Sequence, residues 1–98
     1  MLKAGVIGCG HLGKFHIKQL SESKKYQLIG VFDNNLDVAK LVSKEFGCEY
    51  FNNYNDLISR SDVICIVTPT PFHFEYAKKC IESDVHIFIE KPVCESVN

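Results

Sequence analysis

The sequence carries no surplus of charge: 11 lysines and arginines stand against 12 aspartates and glutamates, a formal net charge of −1. That balance offers no attraction for nucleic acid or an anionic membrane. The lysines at Lys3, Lys14, Lys18, Lys24, Lys25 and Lys40 are also too scattered to make a local basic patch. No CxxC occurs among Cys9, Cys48, Cys65, Cys80 and Cys94, and neither these nor the four histidines show metal-ligand spacing, so no metal site is expected. An odd cysteine number without a framework pattern fits thiols in a reducing compartment rather than disulfides. No apolar run approaches the length that crosses a bilayer. The apolar stretch within residues 1–10 is broken by glycine and lacks a signal-peptide layout, so a cytoplasmic location is expected. Repeats, low-complexity tracts and linkers are missing too. The 98 residues therefore make at most one small domain, with 46% hydrophobic residues to build its core and a thin margin of stability.

What is present is an alternation. Leu2 to Ile7 is a short apolar run ending in glycine, a buried strand. A helix follows, with Leu12, Phe15, His16, Gln19 and Leu20 as its inward stripe and Lys14, Lys18 and Ser21 outward. Tyr26 to Phe32 is a second strand closed by Asp33, and Asn34 and Asn35 suit a turn and helix cap. Val38, Ala39, Val42 and Phe46 mark a second helix ended by Gly47. Cys48 to Phe51 reads as a short strand and Asn53 to Ser59 as a turn or brief helix. Val63 to Val67 is β-branched and uncharged, a strand buried on both faces and stopped by Pro69 and Pro71. Phe74, Ala77, Cys80 and Ile81 form a third helical stripe before a fifth strand, Val85 to Ile89. Such alternation implies right-handed crossovers and a Rossmann-type, doubly wound α/β fold with a mainly parallel sheet. Ligands bind such sheets at the carboxyl ends of the strands. Here those are the turns after residues 7, 32, 67 and 89, and every unusual motif lies in one of them.

The first turn, Gly8-Cys9-Gly10-His11-Leu12-Gly13, is a GxGxxG between a strand and a helix. There Gly8 permits a tight turn, Gly10 lets a pyrophosphate approach the backbone, and Gly13 lets helix and strand pack closely. The helix start, with His11 offering a backbone N–H, presents donors and a positive dipole end to phosphates. Asp33 stands twenty residues after Gly13, where a carboxylate can accept from the ribose 2′- and 3′-hydroxyls and repel a 2′-phosphate. No arginine follows, Asn34 and Asn35 are neutral, and Lys40 is a helical turn or more away, so NAD is expected over NADP. The plainer reading of Asp33 is a helix cap. Thr68-Pro69-Thr70-Pro71-Phe72-His73 and Glu90-Lys91-Pro92 fill the remaining turns. A lysine at that edge, beside a nicotinamide, would donate a hydrogen bond to a substrate oxygen and move its proton. Cys9, His16 and His86 call for no chemistry: a variable turn position, a packed helix residue and a surface strand residue.

GxGxxG with His16 three residues on, Thr68-Pro69 with His73 and Ala77, and Glu90-Lys91-Pro92 together resemble the Gfo/Idh/MocA family of glucose–fructose oxidoreductase and inositol dehydrogenase relatives. The resemblance covers essentially the whole chain. It implies a two-domain enzyme that uses NAD(P) on sugars, polyols or nucleotide sugars, with this chain as its Rossmann domain. It further implies that Thr68 to His73 lines the cofactor cleft, that Glu90 lies near the nicotinamide, that Lys91 meets nicotinamide and substrate, and that the Lys91–Pro92 peptide is cis. Family members continue into an α+β domain that binds substrate and usually forms the oligomer interface. A chain ending at Asn98 is accordingly expected to be a fragment or a truncated gene product, inactive alone and oligomeric only with that domain. Two other readings use the same glycine turn: a cofactor-holding regulator or scaffold without catalysis, and a methyltransferase binding S-adenosylmethionine, in which TPTPFH and EKP have no place.

Overall fold

The computed structural model describes residues 1–67 and 70–89, apart from the side chains at 11, 70–73 and 89. Five strands, β1 (Leu2–Ile7), β2 (Tyr26–Phe32), β3 (Glu49–Tyr50), β4 (Val63–Ile66) and β5 (His86–Ile89), form one sheet in the order β3-β2-β1-β4-β5. Every pairing is parallel. The order reverses after β3, so the chain winds outward from β1 in both directions. Helices α1 (His11–Glu22), α2 (Leu36–Phe46), α3 (Tyr54–Ser59) and α4 (Thr70–Glu82) make the crossovers.

Two apolar layers follow from this winding. On one face Ile17 of α1 and Ala39 and Val42 of α2 pack on Val6, Val31 and Cys65. On the other, Leu57 and Ile58 of α3 and Tyr76 and Cys80 of α4 pack on Ile7, Ile64 and Ile66. A central parallel sheet covered on both faces explains why β4 reads as an unbroken apolar run rather than an alternating one. Among the described residues no helix is long and apolar enough to cross a membrane.

The helix boundaries follow local chemistry. Asn35 caps α2, its side chain accepting from the N–H groups of Asp37 and Val38, and Gly47 ends that helix in the left-handed region at φ 70°. Two expected stripes are corrected. On α1 Gly13 and Ile17 are buried, whereas Phe15 is 54% exposed and Gln19 faces solvent. On α4 Tyr76 and Cys80 are buried, while Phe74 and Ile81 are 77% and 69% exposed.

Candidate functional site

Register brings three of the four carboxyl-end turns together. Ile7, the last residue of β1, pairs with Phe32 on one side and Ile66 on the other. Gly8 donates its N–H to Phe32 O at 2.8 Å, and Val67 donates to Ile7 O at 2.8 Å. The glycine turn therefore sits between the turn at Asp33 and the exit of β4.

Each glycine of the motif has a separate physical reason. Gly8 lies at φ 109°, a backbone region that side chains rarely adopt. A Cβ on Gly13 would collide with the carbonyl oxygen of Gly8, so only glycine lets α1 start this close to β1. Gly10 has neither constraint: its backbone is extended at φ −73° and ψ −166°, and a Cβ there would meet none of the described residues within 4 Å. No described residue demands glycine at position 10, and an open backbone there is what a close-approaching ligand needs. Gly10 also serves as the N-cap of α1 without any side-chain hydrogen bond, and the first turn holds no acidic residue. The helix start at His11, Leu12 and Gly13 thus keeps its dipole and N–H groups for an anion. These features fit a dinucleotide pyrophosphate.

Asp33 is not a helix cap; that role belongs to Asn35. One carboxylate oxygen, Oδ2, accepts the Cys9 N–H at 2.8 Å, and Oδ1 accepts the Asn35 N–H at 2.9 Å. Asp33 therefore ties the first turn to the second while half-buried, and a carboxylate with about four acceptor sites keeps capacity for a ligand hydroxyl. The Cys9 side chain is buried at 1% exposure and contacts Phe32 O. Burial, aided by the Asp33 charge, pushes its thiol up to about 12, which leaves it inert.

The Asn34 side chain takes part in a cluster that periodicity did not reveal. Its Oδ1 accepts from the Tyr76 hydroxyl at 3.1 Å. Tyr76, Tyr54 and Phe32 pack edge to face, and Tyr54 donates to Glu75 Oε2 at 2.7 Å. That bond, more than burial, pushes the Tyr54 phenol up to about 12. A tyrosine on a helix facing the Asp33 turn was the available signal for this cluster. Of the other expected site residues, Thr68, Pro69, Glu90, Lys91 and the Lys91–Pro92 peptide lie outside the described residues. So do the side chains of His11, Thr70 and His73, although Thr70 opens α4.

Comparison with known proteins gives this edge its context. The model of the Gfo/Idh/MocA oxidoreductase family, NAD-binding Rossmann fold, matches residues 2–98. The chain is 42% identical over 91 residues to UDP-N-acetylglucosamine 3-dehydrogenase of Acidithiobacillus ferrooxidans, covering 93% of this chain and 28% of that protein. It is 34% identical over 97 residues to glucose-6-phosphate 3-dehydrogenase of Bacillus subtilis, covering 99% of this chain and 28% of that one. A solved structure of the Acidithiobacillus enzyme superposes with a TM-score of 0.87 over 93% of this chain and 30% of its own. The apo scyllo-inositol dehydrogenase of Lactobacillus casei, 26% identical, does so with 0.84 over 96% and 29%. The chain thus spans under a third of the length of these relatives and matches their NAD-binding part: it belongs to the Gfo/Idh/MocA oxidoreductase family.

Proposed function

We propose that this chain is the NAD(H)-holding part of a dehydrogenase that acts on a hydroxyl or carbonyl of a sugar, polyol or nucleotide sugar. The observation that carries the reading is the division of labour in the glycine turn, where packing demands Gly13 but no described residue demands glycine at position 10. The N–H groups at His11, Leu12 and Gly13 would hold the pyrophosphate over Gly10, and Asp33 and Asn34 the adenosine ribose. Thr68, Pro69, Thr70 and His73 would line the cleft, with Glu90 and Lys91 at its nicotinamide end. When bound, the nicotinamide supplies or accepts the hydride.

Lys91 would donate a hydrogen bond to the substrate oxygen and carry its proton, and is the proposed catalytic residue. Its role needs a further domain to orient and enclose the substrate, a contribution of about 7–11 kcal/mol to a barrier. The relatives above carry dehydrogenase names, which favours an enzyme over a regulatory scaffold, and two of them are named for position 3 of a sugar. A sugar ring hydroxyl is accordingly the substrate to try first.

Cofactor choice tests the site directly. Asp33, followed by two neutral asparagines, should favour NADH over NADPH in a calorimetric titration. Asp33→Ala should narrow the gap, by about 1–3 kcal/mol for hydrogen bonds to a charged group. Equal affinity of the unmutated chain for both cofactors would refute the assignment.

A further inference from the structure

The Asn34 side chain is exposed, yet one end of it is fixed. Its Oδ1 accepts from a hydroxyl whose position leaves little freedom: Tyr76 is 2% exposed, with its ring 4.9 Å from Tyr54 and 6.3 Å from Phe32, centroid to centroid. Burial pushes the Tyr76 phenol up, so it remains a donor throughout the neutral range. A carboxamide carries its acceptor on one side and its two donors on the other. With Oδ1 engaged, the Nδ2 donors are turned away from Tyr76.

We propose that Tyr76 is a positioning residue, holding the Asn34 carboxamide so that its N–H groups serve as donors to the adenosine ribose at the Asp33 turn. The inference rests on the cofactor reading above and deepens it. A ribose hydroxyl both donates and accepts, whereas Asp33 can only accept. A fixed amide donor one residue away supplies the complementary half. An untethered Asn34 would spend part of its time presenting Oδ1, leaving the turn without a side-chain donor.

A double-mutant cycle on the full chain, read by calorimetric NADH binding, tests the coupling. Tyr76→Phe keeps the ring and removes the hydroxyl, and should weaken NADH by about three- to tenfold, the scale of one hydrogen bond. In an Asn34→Ala background the same change should have no further effect. Weakening by Tyr76→Phe that is equal in both backgrounds would make Tyr76 a packing residue and overturn the proposal, as would no weakening at all. Should Tyr76→Phe fail to fold, Asn34→Ala at its exposed position decides alone, and unchanged NADH affinity there overturns it. An unmutated chain that binds no NADH would instead defeat the cofactor reading, and this inference with it.

Discussion

Replacing Gly13 by alanine sets two effects of opposite sign against each other. Within a helix, alanine is favoured over glycine by about 1 kcal/mol, so an unhindered substitution would stabilise α1. Here the new Cβ would overlap the Gly8 carbonyl oxygen and lie 2.8 Å from its carbon, and neither atom can rotate away because both are backbone. The helix start must lift from β1, which loosens the packing of Ile17 and Cys9, buried at 0% and 1% exposure. Overpacking of this kind typically costs about 1–3 kcal/mol, and displaced backbone belongs at the upper end. The net loss should therefore be about 1–2 kcal/mol, and a domain of this size loses about 4–8 °C in Tm for each kcal/mol. Thermal unfolding followed by far-UV circular dichroism measures it. A Gly13→Ala variant melting at or above the unmutated chain would show that helix propensity outweighs the clash with Gly8.

Two further outcomes are expected. Burial raises the thiols of Cys9 and Cys80 from 9.0 to about 12 and about 11, so between those pH values the folded chain keeps protons that the unfolded chain has released. Stability should fall as pH rises through that window, and Cys9→Ala with Cys80→Ala should flatten the fall; a Tm independent of pH from 9 to 11 in the unmutated chain would contradict the burial of these thiols. On the proposed role of Lys91, Lys91→Ala in a protein that joins this chain to a substrate-binding domain should cut turnover by about 10²–10⁴ with much less change in NADH affinity; near-normal turnover with lost affinity would make Lys91 a cofactor ligand only.

The topology was legible because its signals are local. The glycine turn, the apolar run of β4, the Asn35 cap and Gly47 each decide their own conformation, and their order along the chain dictates a parallel sheet. The inward faces of α1 and α4 were less legible. On α1, Gly13 is packed against the Gly8 carbonyl, yet a glycine adds nothing to an apolar stripe, so Phe15 pulled the expected face away from Ile17. On α4, Tyr76 is amphipathic: its ring fills the core while its hydroxyl reaches Asn34, and a pattern that counts apolar residues chose Phe74 and Ile81 instead. The role of Asp33 was half legible. Its place at the end of β2 follows from spacing, but its bond to the Cys9 N–H joins two turns brought together only by strand pairing.

Gly10→Val decides whether a pyrophosphate lies over Gly10, as proposed. Because a Cβ at this position meets no described residue within 4 Å and its backbone is extended, the variant should fold with an unchanged circular dichroism spectrum, losing only about 1 kcal/mol for a poorer N-cap. Its branched side chain would occupy the approach to the start of α1, so NADH binding by calorimetry should disappear. A folded Gly10→Val variant that binds NADH with unchanged affinity would place the phosphates elsewhere.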